Sequence, residues 1–219
     1  MIDVNNDTKK LTTVGMLCAL AVIVNLLIHF PMIPAVSFLS YDPKDIIIVI
    51  GGFIYGPLTA FVMSLITSFL EIFYRGGTLL DVLMNVISTC TFACVASATY
   101  KRDHTRNGAL LGLAAGTLCC VLSMLLWNYI ITPIYFGMPR AAVAAILLPG
   151  ILPFNLLKCA MNAGVTLFLY KPLVTLFRRN DLVEQSHGDG TSGTLTMAVI
   201  GAFLCLSAIC FLLGFQGLI

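Results

Sequence analysis

Long stretches of this sequence contain no charged side chain, and each is long enough to cross a lipid bilayer. Residues 11–30 lack Asp, Glu, Lys and Arg, and about 20 apolar residues in a helix span the ~30 Å hydrocarbon core. Charged residues make up only 10% of the chain, whereas soluble domains have about 25%. The chain is therefore predicted to be an all-α, polytopic membrane helical bundle. Its small net charge of +2 predicts no nucleic-acid partner.

Seven membrane spans are predicted. The first is 11–30, and the uncharged run 46–70 is then interrupted by Gly51-Gly-Phe-Ile-Tyr-Gly-Pro57. Because proline begins a helix far better than it continues one, we predict a short helix from about Asp45 to Ile54, a tight turn, and a third helix to about Phe73. Further spans are predicted at 81–99, 108–132, 153–171 and 195–217.

Basic residues indicate the orientation of these spans, because cytoplasmic loops carry an excess of Lys and Arg. With seven spans and a cytoplasmic N-terminus, eight basic residues lie inside and three outside, with Lys158 in the membrane. The alternative, in which 46–70 is one helix, gives seven against four. No cleavable signal pattern precedes the first span. We expect a multi-pass protein of the cell membrane with its N-terminus in the cytoplasm.

The end of the chain departs from the rest in composition. Residues 180–194 are polar and rich in glycine, which is typical of a flexible linker. We therefore expect a six-helix membrane domain over residues 1–179, the linker over 180–194, and an extra transmembrane helix over 195–219.

Polar residues inside the predicted spans point to a binding site. A lysine inside a span costs ~2.5–3.5 kcal/mol, which makes Lys158 a candidate functional residue. Asn155 lies three positions earlier, so the two side chains share one helix face. In the predicted orientation, five helices bring polar groups to one pocket that opens outward; these include Asn25, His29, Glu71, Asp81, Asn85, Asn128, Asn155 and Lys158.

Structural roles are the alternative for several of these residues. Lys158 could form an ion pair with Glu71 or Asp81 that holds helices together. Asn85 could hydrogen-bond another helix, and helix-end polar groups could extend to the lipid headgroups.

No pattern of catalytic or metal-binding residues stands out in the sequence. It lacks G-x-x-x-x-G-K-[ST] and H-E-x-x-H, and its three histidines are scattered. The eight cysteines lie in apolar segments, which is typical of buried thiols that act as small hydrophobic side chains. We therefore predict a binding or transport protein, not an enzyme, with no metal and no cofactor.

Four motifs, in this order along the chain, resemble those of a known family. They are Phe38-Leu-Ser-Tyr-Asp-Pro-Lys-Asp-Ile46, Gly51-Gly-Phe-Ile-Tyr-Gly-Pro57, Asn128-Tyr-Ile-Ile-Thr-Pro-Ile-Tyr135 and Pro153-Phe-Asn-Leu-Leu-Lys158. Together they resemble the riboflavin-specific substrate-binding (S) components of energy-coupling factor (ECF) transporters, over roughly residues 10–178. That family has six helices, so the predicted seventh span departs from its pattern.

The resemblance implies high-affinity binding of riboflavin as a transported ligand. It also implies docking on a transmembrane coupling subunit that two ATPase subunits drive. By the same resemblance, the flavin ring would be hydrogen-bonded by Asn128, Asn155 and Lys158, lined by Asn85, and covered by the loop around Leu39 and Tyr41. Gly15 and Ala19 of the first span would meet the coupling subunit.

The residue types also suit a flavin. Its ring edge alternates carbonyl acceptors with an imide N–H, which an Asn amide can match, and Lys158 can donate to a ring carbonyl or nitrogen. A small vitamin with a carboxylate would also suit Lys158, so an S component for another vitamin is the alternative. An intramembrane enzyme or a channel-like protein is a further alternative, disfavoured by the missing catalytic motifs and the apolar inner halves of the spans.

Overall fold

The computed structural model describes residues 4–179, 199, 201–207, 209–210 and 213. Its helices are α1 Val4–Leu27, α2 Lys44–Tyr55, α3 Pro57–Arg75, α4 Leu79–Thr89, α5 Val95–Arg102, α6 Arg106–Phe136, α7 Arg140–Ile146 and α8 Leu152–Arg179. A π-helical turn, Cys90–Cys94, joins α4 to α5, and another, Leu147–Ile151, joins α7 to α8. Five helical stretches in the described chain are long and apolar enough to cross a membrane: Asp7–Leu27, Pro57–Arg75, Leu79–Arg102, Arg106–Phe136 and Arg140–Leu176. The predicted all-α membrane bundle is confirmed.

The break between α2 and α3 lies where the sequence predicts it. Gly56 joins the two helices with a φ of 94°, a left-handed conformation that side chains other than glycine rarely adopt. Pro57 then opens α3, where its missing N–H costs nothing. With 12 residues, α2 is only ~18 Å long at 1.5 Å per residue. It is therefore too short to cross the hydrocarbon core alone.

α2 forms the centre of the bundle. Its apolar residues from Ile46 to Phe53 are at most 5% exposed, and it packs against α1, α3 and α8. A helix that is apolar on all sides is stable only when other helices surround it. Gly52 lets α2 and α5 approach closely because it has no side chain. A Cβ at this position would lie only 2.1 Å from Ser97 Oγ.

Residues 28–43, which we call the covering segment, close one end of the bundle. α1 ends at Leu27, earlier than the predicted residue 30, and Pro31 follows. An antiparallel bridge between Pro31 and Ser40 and a hydrogen bond from Tyr41 N to Phe30 O at 2.9 Å fasten the base of the segment. Met32, Ile33 and Val36 are buried in a cluster with side chains of α8. The covering segment is thus packed, not loosely exposed.

The C-terminal part of the chain is described only in places. The predicted linker 180–194 lies outside the described residues, as do several positions of the predicted span 195–217. Positions 201–207 are helical and contact α8. There, Cys205 Sγ lies 3.9 Å from the Met161 carbonyl oxygen, and a Cβ at Gly201 would lie 2.5 Å from the Gly164 carbonyl oxygen. This segment therefore packs directly on α8.

Candidate binding site

A cavity of about 500 Å³ lies beneath the covering segment. It occupies the end of the bundle where α1, α3 and α6 finish and where α4 and α8 begin. Its size is within the range of small-molecule sites. Apolar walls come from Leu39, Met84, Met124 and Phe154, and polar groups come from α3, α4 and α8. The cavity therefore combines apolar side chains with a few polar groups.

Four of the six predicted ligand-contacting residues line this cavity: Leu39, Asn85, Asn155 and Lys158. The other two are buried beside it and are absent from the cavity lining as far as the structure describes it. Tyr41 donates its hydroxyl to Asn162 Oδ1 at 2.8 Å. Asn128 donates to the Met124 carbonyl at 2.8 Å and accepts from Thr132, so its amide is bonded within α6.

The two predicted docking residues lie elsewhere, on the outward face of α1. Gly15 and Ala19 are both exposed. A Cβ at Gly15 would have no neighbouring atom within 4 Å. This face is therefore open to lipid or to another protein.

Lys158 belongs to a buried network of three cations and three carboxylates. Its Nζ lies 3.3 Å from Asp42 Oδ2 and 3.3 Å from Asp45 Oδ2. Arg75 pairs with Asp42 at 3.2 Å and also with Glu71, which in turn pairs with Lys44. All of these carboxylates, Lys44 and Lys158 are buried. Since buried charges are costly unless they are paired, each charge of the network depends on its partners.

Lys158 does form ion pairs, as in the structural alternative considered from the sequence, but the partners expected there are wrong. Its partners are Asp42 and Asp45, not Glu71 or Asp81. Asp81 instead caps α4 by accepting from Thr78 N at 2.6 Å, and it accepts from the Tyr135 hydroxyl at 3.0 Å. The N-terminus of a helix favours a carboxylate because its first N–H groups have no intrahelical partner.

Sequence reasoning also missed functional candidates on the covering segment, α2 and α3. Lys44 and Arg75 are two of the three basic residues predicted to lie outside the membrane, and the sequence alone predicts no role for Asp42 and Asp45. One signal was present: Asp42-Pro-Lys-Asp45, whose last two residues begin α2, stands directly before the apolar run that starts at Ile46. Charges at the entrance of a fully buried helix need partners from other elements.

Two groups on the covering segment have shifted pKa values. Burial acts to raise the pKa of Asp42, but the cations of Lys158, Lys44 and Arg75 outweigh it and hold the pKa well below its usual value. Burial and then the Arg75 cation lower the pKa of His29. At neutral pH the imidazole is therefore neutral and the aspartate ionised, and the negative charge of Asp42 is compensated by its ion pairs with Lys158 and Arg75.

The start of α8 fixes the two candidate ligand donors. Asn155 donates one amide N–H to the Ile151 carbonyl at 2.8 Å, at the end of the π-helical turn. Lys158 lies one turn further and also approaches Ser88 Oγ at 3.4 Å, which connects α8 to α4. Both side chains reach the same cavity, as their three-residue spacing predicts.

An all-α membrane bundle with a cavity of this kind matches an established class of membrane protein. A profile of the family "ECF transporter, substrate-specific component" matches residues 9–170. The chain belongs to this family, and it is a multi-pass membrane protein.

Similar proteins include two named transporters. The riboflavin transporter RibU of Staphylococcus aureus (strain TCH60) is 26% identical over 179 residues, which covers 79% of this chain and 94% of the relative. The riboflavin transporter FmnP of Bacillus subtilis (strain 168) is 28% identical over 160 residues, or 68% and 84% of the two chains.

A solved structure, titled "Structure and mechanism of the S component of a bacterial ECF transporter", has the same fold. Its TM-score is 0.69, and the match covers 79% of this chain and 99% of that chain at 24% sequence identity.

Proposed function

We propose that this chain binds riboflavin with high affinity and serves as the substrate-specific subunit for its uptake by an ECF transporter. The family and the relatives named as riboflavin transporters support this function. The observation that carries the proposal is the chemistry of the cavity. Asn155 and Lys158 present polar groups at one wall, while Leu39, Met84 and Phe154 supply apolar surface for a flat ring.

The ion-pair network favours a neutral ligand over a carboxylate. Among the described residues that line the cavity, both Lys158 and Arg75 already pair with carboxylates of the protein. An anionic vitamin would have to compete with Asp42 for these cations. Riboflavin has no charge at neutral pH and needs only hydrogen bonds, so the network supports a flavin over a carboxylate-bearing vitamin.

Transport would require partner subunits. The chain lacks a phosphate-cradling loop, so energy would come from two ATPase subunits through a transmembrane coupling subunit. The exposed small residues Gly15 and Ala19 on α1 are the proposed contact with that subunit. In this arrangement the N-terminus is cytoplasmic and the cavity opens to the cell exterior. The chain itself would be a carrier without enzymatic activity or a bound cofactor.

The direct test is the visible spectrum and riboflavin binding of the detergent-purified chain. Protein from cells supplied with riboflavin should be yellow, and ligand-free protein should quench added riboflavin fluorescence at one site per chain. A carboxylate vitamin such as biotin should not compete. A folded, monodisperse protein that neither absorbs in the flavin bands nor quenches riboflavin would contradict the proposal.

A further inference from the structure

Asp45 lies behind Lys158, away from the cavity. It is 1% exposed and is not among the described residues of the cavity lining. Each of its oxygens has a further donor. Thr89 Oγ1 of α4 donates to Oδ1 at 2.7 Å, and Asn162 Nδ2 of α8 donates to Oδ2 at 3.4 Å. Donors from two other helices, α4 and α8, therefore fix this α2 carboxylate, which faces Lys158 from the protein side.

Tyr41 sets the orientation of Asn162. The tyrosine hydroxyl donates to Asn162 Oδ1 at 2.8 Å, so the amide must turn its N–H groups toward Asp45. Tyr41 is 4% exposed and belongs to the covering segment. A continuous chain of polar contacts thus runs from this segment through Asn162 and Asp45 to Lys158.

Asp42, the other carboxylate partner of Lys158, has a different environment. It lines the cavity and is shared with Arg75 at 3.2 Å and His29 at 3.9 Å. Its position therefore depends on several groups at the cavity wall. Asp45 is the partner whose contacts with Thr89, Asn162 and Lys158 all lie inside the bundle.

We propose that Asp45 is a positioning residue that holds the Lys158 ammonium for the ligand, and that Tyr41 and Thr89 hold Asp45 in turn. This inference rests on the proposed function, because it takes Lys158 to contact the flavin. A lysine has a flexible four-carbon stem, so an unheld ammonium must be ordered when the ligand binds. Fixing it beforehand removes that cost from the binding step.

A double-mutant cycle on riboflavin binding tests this role. Asp45→Asn keeps the shape of the side chain and should weaken riboflavin binding about tenfold when Lys158 is present. In the Lys158→Ala background the same change should weaken binding by less than about twofold, because Asp45 acts through that lysine. Equal losses in both backgrounds would overturn the proposal and leave Asp45 with a role in the fold alone.

Two threonines provide a matched comparison that does not alter any charge. Thr89 and Thr67 are both fully buried helix residues, but Thr67 donates to the Met63 carbonyl of its own helix at 2.8 Å. Thr89→Val should weaken riboflavin binding about threefold, as should Tyr41→Phe, whereas Thr67→Val should not change it. These variants also test the proposal if Asp45→Asn does not fold. Equal effects at Thr89 and Thr67 would contradict it.

The same cycle on the unfolding temperature without ligand separates this inference from the proposed function. If the wild type does not bind riboflavin but Asp45→Asn and Lys158→Ala are still coupled in stability, the proposed ligand is wrong and the ion pair stands. If riboflavin binds and the two changes are additive in both stability and affinity, the positioning role is wrong and the proposed function stands.

Discussion

Lys158 is held on one side by Asp42 and Asp45 and faces the cavity on the other. Its removal would have two separable effects. The ligand would lose a donor, and the two carboxylates would lose the charge that compensates their burial. Asn155 differs because it is uncharged and donates only to a neutral group, the Ile151 carbonyl of the π-helical turn, among the described residues.

We therefore expect Lys158→Ala and Asn155→Ala to weaken riboflavin binding alike but to differ in stability. Each leaves a buried group of the ligand without a partner, at ~1–3 kcal/mol, or about one to two decades in affinity. Only Lys158→Ala should also lower the ligand-free unfolding temperature, since breaking a buried ion pair costs about 3–5 kcal/mol. Fluorescence titration and thermal unfolding in detergent measure both effects. Wild-type affinity in both variants would contradict the site.

The shifted pKa values of Asp42 and His29 predict a loss of stability in acid. The pKa of His29 is lowered in the folded protein, so its contribution is complete above the ordinary value of ~6.5 and is lost as the pH falls through the folded value. The pKa of Asp42 is also lowered in the folded protein. Its contribution to stability is complete above the ordinary value of ~3.9 and is lost as the pH falls below it.

The unfolding temperature should therefore be constant from about pH 7 to 8 and fall in two stages below that. His29→Gln should remove the first stage and keep the second, as measured by thermal unfolding across pH. Identical pH profiles for the wild type and His29→Gln would show that the histidine does not contribute.

Part of this site could be predicted from the sequence, for a physical reason. Asn155 and Lys158 are three residues apart in one helix, and helical spacing alone places them together. The partners of Lys158 could not be derived in this way. Asp42 and Asp45 reach it from the covering segment and α2, more than a hundred residues away in the chain, and that contact depends on how the helices pack.

At the scale of helices, the junction of α2 and α3 was predictable because Gly56-Pro57 has a strong local preference. α7 and the π-helical turns were not predicted, since Arg140–Ile151 continues the apolar composition of its neighbours. Pro149 within the second turn has no N–H to donate, and the wider π turn accommodates it. That turn leads directly into α8, whose first residues line the cavity.

The contact between α8 and the helical segment 201–207 gives a prediction at the same scale. A Cβ at Gly164 would lie 2.7 Å from Cys205 Sγ, and one at Gly201 would lie 2.5 Å from the Gly164 carbonyl oxygen. Gly164→Leu and Gly201→Leu should each destabilise the protein by ~1–3 kcal/mol through overpacking. The control is Gly15→Leu, which has the same gain in helix propensity but no neighbour within 4 Å.

Riboflavin affinity should be unchanged in these variants, because none of the three glycines lines the cavity. Deletion of the residues after Asn180 should likewise preserve binding. A truncated protein that folds but does not bind riboflavin would show that the C-terminal segment contributes to the site.

At the scale of the whole molecule, the chain alone should bind riboflavin but should not transport it against a gradient. Proteoliposomes that contain it alone should bind external riboflavin without accumulating it, and addition of a matching coupling module should give ATP-dependent uptake. Ala19→Trp should then reduce uptake and spare binding, because it blocks close helix contact on α1. Leu118→Trp, on an exposed position of α6, is the control and should leave both uptake and binding unchanged. Accumulation by the chain alone, driven by a proton or sodium gradient, would contradict the proposal.

The balance of the buried network has an electrical consequence. Moving one net elementary charge through a membrane potential of 100 mV takes about 2.3 kcal/mol. Asp42, Asp45 and Glu71 cancel Lys44, Arg75 and Lys158, and riboflavin is neutral, so displacing the loaded site would do no net work against the field. Uptake by the assembled transporter should therefore be insensitive to a potassium diffusion potential, whereas Asp45→Asn, with one uncancelled positive charge, should make it voltage-dependent. A wild-type uptake rate that changes with voltage would show that charge moves with the vitamin.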